Sequence, residues 1–467
     1  MSASRRSHRV RLVVAGCAGL AAGLIAAAAL VATAEDATGN ANDRPSLDPA
    51  QLIDAAHLPP VLTAPGEPVE LRYDVYCPPP DESESGAPCD AGGTVFVRAG
   101  EEGAFASIPL VVDPHAAEGR LVARVPAEVA GSPAGFSYYA VVRNRASGAS
   151  LTLPAGGAAA PQRSLRLRNI TELELGTHAF GAVRRPAERV FTARWGDGAG
   201  EVGLEGGREM QPLGPASFDV RPDGRLTVLD QVNRRALRLS ARGAAAPAVP
   251  LAVNGTLADL AVGERGELWV LETAGLGAPL LREFAPSGDA LRVVPLAERT
   301  ASQIRVGPHG PVVKQYPSEE WLPAFDGRTP LGPLAQTVRG ESARPLGDGR
   351  GVVVLRVQNE LRVALVDRAG VARSWRIRSD TPLAEVQLAE PLGDRMVVVV
   401  RTYTERRDEF VVLVLAGEQV VSRFSVASAD WAETAPLSRF RLAGSSLYQL
   451  GSTRDGVHVD RFDLEVT

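Results

Sequence analysis

The sequence predicts an all-β protein: a six-bladed β-propeller preceded by a β-sandwich, behind one N-terminal apolar helix. Three observations carry that expectation. Short apolar strands follow glycine turns at Gly224, Gly266, Gly310, Gly349, Gly393 and Gly444, spaced by 42, 44, 39, 44 and 51 residues. That is the period of a four-stranded propeller blade. Before the repeats, short segments alternate apolar and polar residues with period two. At the start, Leu12 to Ala34 carries no charge.

Composition agrees. A chain of 467 residues exceeds one ordinary domain, and its 47 glycines and 35 prolines suit turn-dense β-structure. Net charge is −5, and basic residues do not cluster outside the N-terminus, which argues against a nucleic-acid surface. Lys314 is the sole lysine; such a preference for arginine reflects codon usage rather than chemistry.

The N-terminal run is long enough to span a bilayer, and Arg5, Arg6, Arg9 and Arg11 should hold its start in the cytoplasm. Ala32-Thr33-Ala34 has the form of a signal-peptidase site. The run exceeds a usual signal core, so residues 1–34 are expected as an uncleaved single-pass anchor, with secretion after Ala34 the alternative. Either way the body is extracytoplasmic.

Residues 35–60 are polar and proline-punctuated and read as a linker with room for one short helical turn. Residues 61–165 are expected as a sandwich. Glu67 to Tyr76 alternates strictly, and Thr94 to Arg98, Ala104 to Val112, Gly119 to Val125, Gly135 to Arg143 and Ser150 to Leu153 continue the pattern. Cys77 and Cys89 are the two cysteines of the body, and export predicts that they form a disulfide. Two thiols with no nearby histidine do not complete a metal site. The segment Phe136 to Asn144 (FSYYAVVRN) resembles the late strand of bacterial Ig-like or fibronectin-like modules.

Residues 166–467 are expected as the propeller. Each turn glycine supplies a positive φ between the first two strands of a blade. The last repeat shows three strands, Ser438 to Leu442, Leu447 to Ser452 and Val457 to Leu464. Arg189 to Arg194 is predicted to complete it, which would remove the open edges of an unclosed ring. The stretch from Trp195 to Leu239 begins WGDGAGE and continues through a Pro222-Asp223-Gly224 turn to Asp230 and Asn233. It resembles one repeat of the NHL family, closely here and fairly over Leu257 to Phe284. That resemblance implies a propeller, and the Asp230–Asn233 pair is then expected to tie turns together rather than to act in chemistry.

No catalytic, cofactor or metal residue is assigned. The six histidines (His8, His57, His115, His178, His309 and His458) include no closely spaced pair, and His309 reads as a turn residue. Gly196 to Gly207 lacks the form of a phosphate loop. No nucleophile elbow is present. Asp219, Asp230 and Asp259 are the acids placed near a channel mouth, while Arg234-Arg235, Arg406-Arg407 and Glu319-Glu320 are expected as solvated blade surface. The resulting expectation is a membrane-anchored binding or scaffold protein without a cofactor, facing a protein or glycan partner with a propeller face. The alternative is a metal-dependent, lactonase-like hydrolase or lyase with its site in the channel.

Overall fold

The computed structural model describes residues 53–77, 90–116, 119–206, 212–254, 258–273, 279–297, 301–315, 320–429, 431–432 and 438–464. The structure is all-β with a six-bladed propeller arrangement. Its six sheets follow the repeats in order, and each blade runs from an inner strand outward because consecutive strands pair antiparallel through tight turns. Blade 1 is Ser217–Val220, Leu226–Asp230, Arg235–Leu239 and Val249–Pro250. Blade 2 is Ala258–Val262, Leu268–Glu272, Leu280–Phe284 and Ala290–Pro295. Blade 3 has three strands, Ala301–Gly307, Gly310–Gln315 and Trp321–Pro323, followed by a small hairpin and the helix Pro333–Val338.

Blade 4 comprises Arg344–Pro345, Gly351–Val357, Glu360–Asp367 and Gly370–Arg378. Blade 5 comprises Leu383–Leu392, Arg395–Tyr403, Asp408–Ala416 and Gln419–Ala427. Blade 6 comprises Phe440–Ala443, Ser446–Thr453, Gly456–Asp463 and, as its outer strand, Glu188–Arg194. That outer strand pairs antiparallel with Gly456–Asp463, as the sequence predicts. All six turn glycines have positive φ, from 57° at Gly444 to 109° at Gly310.

The segment leading to Glu188 forms a belt that periodicity did not reveal. Ile170–Glu174 adds a parallel fifth strand to blade 4. The chain then passes blade 5, where His178 Nε2 lies 2.9 Å from Glu409 and the Arg184 amide donates to the Ser425 carbonyl. It ends as the outer strand of blade 6. One segment therefore covers three successive blade edges, each of which would otherwise present unpaired backbone groups.

Apolar seams hold neighbouring blades together. Phe191 and Leu450 of blade 6 meet Phe218 and Val228 of blade 1, and Leu229 meets Val270 and Phe284 between blades 1 and 2. Trp269 packs with Val313 and Phe325 between blades 2 and 3. Trp375 and Val363 of blade 4 pack with Val398 and Leu413 of blade 5. Phe410 and Val412 of blade 5 meet Phe440 and Phe462 of blade 6.

Residues 53–166 form nine strands, most of them around a core that includes Leu71, Tyr73, Val95, Val97, Tyr138 and Val142, while Leu62 and Leu165 pack against blade 4. Ala106–Val112 turns the corner of this sheet, pairing with Ala91–Ala99 through its first half and with Arg120–Arg124 through Val111 and Val112. The linker expectation for residues 35–60 is corrected at its end. Asp54–His57 is a strand, not a helical turn, because it pairs with Tyr73–Tyr76. Leu62–Thr63 and Gln162–Arg166 are further strands that the alternation missed. Cys77 packs against this core; Cys89 lies outside the described residues. So do residues 1–34. No helix among the described residues is long and apolar enough to cross a membrane.

His57 is the notable polar group of this part. Its Nδ1 lies 2.7 Å from the Arg72 carbonyl and so donates to it, leaving Nε2 to accept from the Tyr138 hydroxyl at 2.8 Å. The ring stacks on Tyr73 at 4.3 Å. Burial pushes the imidazole down to about 4, against an opposing pull from the Arg72 carbonyl. The native state thus holds the neutral ring while the unfolded chain binds a proton near pH 6.5. The stability that His57 supplies is complete above pH 6.5 and declines as pH falls toward 4. Thermal melts across that window should show a falling midpoint, and His57→Gln should flatten the slope; identical slopes would disprove the assignment.

Candidate functional site

The propeller axis is where such folds usually place ligand chemistry, and here it is lined by charge. Each blade contributes one charged side chain from its inner strand: Asp219, Asp259, Arg305, Arg344, Glu390 and Arg441, from blades 1 to 6 in order. Arg344 pairs with Glu390 at 2.6 Å, and Arg305 reaches Glu390 at 4.0 Å and Asp259 at 3.7 Å. Arg441 closes the chain, 3.7 Å from Asp259 and 3.5 Å from Asp219. Three carboxylates face three guanidiniums, so the formal charges cancel.

Hydrogen bonds use the remaining lone pairs and protons. Asp259, fully buried, accepts from the Ser217 hydroxyl at 2.5 Å, from its neighbour Leu260 N at 3.0 Å and from Ile304 N at 2.8 Å. Asp219 accepts from Val220 N and Val262 N. Arg441 donates to the carbonyls of Phe218 and Leu260, in blades 1 and 2. Arg305 donates to the Ser438 hydroxyl beside blade 6, and Arg344 to the Ala389 carbonyl of blade 5. The acids and arginines thereby stitch one inner strand to the next.

The environment moves two of these groups. Burial raises the Asp219 carboxyl above its ordinary range, with Arg441 pulling the other way. Burial first, and the nearby Arg441 charge second, push Arg305 down to about 10, so it stays protonated at neutral pH.

Asp219 and Asp259 therefore reach the axis, as expected from their positions, but as halves of ion pairs. Asp230 does not reach it. It sits at the end of the second strand of blade 1 and accepts from Gly203 N, Asn233 Nδ2 and Arg235 Nε. Arg235 also donates to the carbonyls of Asp197, Gly198 and Glu201, and Asn233 to that of Gly196. The glycine-rich loop is thus held in place through the Asp–Asn pair, the turn-tying role the repeat implied. Blade 2 repeats the device with Glu272, Asn254 and Arg282.

Two surface expectations are corrected. Arg235 is 15% exposed because it is consumed by Asp230 and the loop carbonyls, and Glu320 is 8% exposed. Arg406, Arg407 and His309 are exposed turn residues. Arg305, Arg344, Glu390 and Arg441 were missed, although a signal existed. A charged residue precedes every turn glycine, by three positions at Arg441 and by seven at Asp259.

Among the described residues no three His, Cys, Asp or Glu side chains converge as a metal-binding group. A hollow of about 420 Å³ lies away from the axis, between turns of blade 4 that include Asp348, Arg350 and Asp367. Its Asp348 and Arg350 pair with each other at 2.5 Å.

The fold thus defines a six-bladed β-propeller protein. No protein-family model matches the chain, and no curated protein matches it. Solved structures similar to it include a virginiamycin B lyase from Staphylococcus aureus, 11% identical, spanning 53% of this chain and 94% of its own, TM-score 0.34. YCF48 bound to a D1 peptide is 12% identical, spanning 62% and 98%, TM-score 0.34. A gluconolactonase from Xanthomonas campestris is 12% identical, spanning 60% and 99%, TM-score 0.24. No functional residue of these proteins is carried over to this chain.

Removing one partner from a buried ion pair leaves the other uncompensated, at about 3–5 kcal/mol. Arg441→Met should therefore lower stability by about that amount, whereas Asp230→Ala should cost about 1–3 kcal/mol through lost hydrogen bonds. Urea midpoints measure both. A cost for Arg441→Met below about 1 kcal/mol, as for an exposed pair, would show that the axis is solvated.

Proposed function

We propose that the chain is a membrane-anchored extracytoplasmic binding or scaffold protein that engages a protein or glycan partner through a propeller face. The observation that supports this is the axis itself, whose acids and arginines neutralise one another. Their donors and acceptors are already spent on neighbouring strands, so a substrate or metal entering there would have to break buried ion pairs. Recognition then falls to the outer faces. In this reading residues 1–34 form the anchor, and the nine-stranded part is an Ig-like sandwich whose Cys77–Cys89 bridge clamps its longest loop. The propeller repeats are of NHL type.

One face offers a suitable surface. Trp195 and Trp431 lie 6.1 Å apart on the side where the inner strands begin, and Trp431 is 36% exposed. Trp195 is fixed by its indole N–H, which donates to the Thr453 carbonyl at 3.0 Å. A rigid aromatic pair at an exposed edge supplies contact area at low entropic cost, which is why tryptophan dominates binding hot spots.

Metal content of the purified protein, with melting curves in calcium and zinc, tests the reading first. A ligand bound tightly to the native state raises the midpoint with concentration. No stoichiometric metal and no shift are expected. A stoichiometric ion with a rising midpoint would instead establish the metal-dependent hydrolase or lyase. On the binding side, Trp431→Ala should weaken an identified protein or glycan partner by tenfold or more without moving the melting midpoint; unchanged affinity would remove this face from consideration.

A further inference from the structure

Five seams of the ring are blade against blade. The sixth, between blades 3 and 4, is built differently. Near the axis the Arg344 guanidinium lies 6.0 Å from the Trp321 ring centre. Farther out, the blade 4 face that would meet blade 3 is covered by the N-terminal module: Val353, Ala364 and Val371 pack against Leu62, Leu165 and Leu167. Blade 3 has three strands among the described residues, with Glu341 bridging to Trp321 at its outer edge.

The covering segments are also held by polar contacts, here between a blade and a module outside the ring. Arg362 of blade 4, 3% exposed, makes a bidentate pair with Glu67 at 2.7 and 2.8 Å and donates to the Leu62 carbonyl at 2.8 Å. Its Nε donates to Glu360, which also accepts from Arg376. The Ser342 hydroxyl donates to the Arg163 carbonyl at 3.1 Å. A fork-to-fork pair of this kind is geometrically demanding: slight displacement breaks both bonds together and leaves the buried guanidinium with Glu360 as its remaining carboxylate.

We propose that the seam between blades 3 and 4 is the joint at which the propeller opens, and that the N-terminal module is its latch, fastened by Arg362 and Glu67. A module on the anchor side of the chain is then mechanically coupled to ring closure. A pull or a partner acting on residues 61–67 would loosen blades 3 and 4 before any other part of the ring. The inference does not depend on what the propeller binds.

Hydrogen exchange on the full chain tests it, comparing the wild type with Glu67→Gln and Leu62→Ser. Glu67→Gln keeps the shape of the side chain and removes its charge, so the fold should persist in that variant. Amides of Gly310–Gln315 and Glu360–Asp367 are expected to exchange tenfold or more faster, with Leu226–Asp230 and Ser446–Thr453 unchanged. Protection that falls evenly around the ring, or unchanged protection at the seam in Glu67→Gln, would overturn the proposal. Should Leu62→Ser unfold the chain, Glu67→Gln alone decides between these outcomes.

Discussion

Six charged side chains converging on one axis must be neutral as a set, or the ring could not close around them. Burying a single unpaired carboxylate or guanidinium costs several kcal/mol. The inner strands of the six blades bring these side chains together, so one uncompensated charge would oppose assembly. Here Asp219, Asp259 and Glu390 meet Arg305, Arg344 and Arg441, and each reaches a neighbouring inner strand. The network thus adds polar links between inner strands that the apolar seams also join, as Leu388 and Phe440 do between blades 5 and 6. Its worth is better read as register and closure than as net stability, because desolvation consumes most of the Coulomb gain.

A second constraint follows from the chain's path. A propeller whose first strand completes its last blade is closed by hydrogen bonds, and Glu188–Arg194 does this. To reach blade 6 from the N-terminal module, the chain must traverse the rim of blades 4 and 5. It does so as a belt, adding a strand to blade 4 and pairing His178 with Glu409 on blade 5. The N-terminal part is therefore not a bead on a string. Its strands Leu62–Thr63 and Gln162–Arg166 pair with each other beside the blade 4 face and help to fill the sixth seam.

Much of this was legible in the sequence, and the remainder was hidden for identifiable reasons. The turn glycines announced the blades because positive φ is demanded by local geometry and needs no partner. The closing strand was legible because the last repeat was one strand short. By contrast, Asp54–His57 and Ile170–Glu174 become strands through partners distant in sequence, Tyr73–Tyr76 and Gly370–Arg378. Their own residues carry little alternation. Asp219 and Asp259 drew attention as isolated acids, whereas Arg305, Arg344 and Arg441 were lost among the chain's many arginines. Arg362 was hidden for the same reason.

The two polar clusters answer different physical demands. At the axis, every charge is bound on several sides by strands of its own ring, so no single displacement frees it. At the sixth seam, Arg362 divides its hydrogen bonds between Glu360 of its own blade and Glu67, a residue from outside the ring. Apolar seams yield gradually, since their attraction is spread over many weak contacts. A bidentate ion pair either keeps both bonds or loses both. Placing such a pair where the ring lacks a full blade-to-blade interface concentrates the structure's sensitivity in one joint and leaves the other five seams indifferent to it.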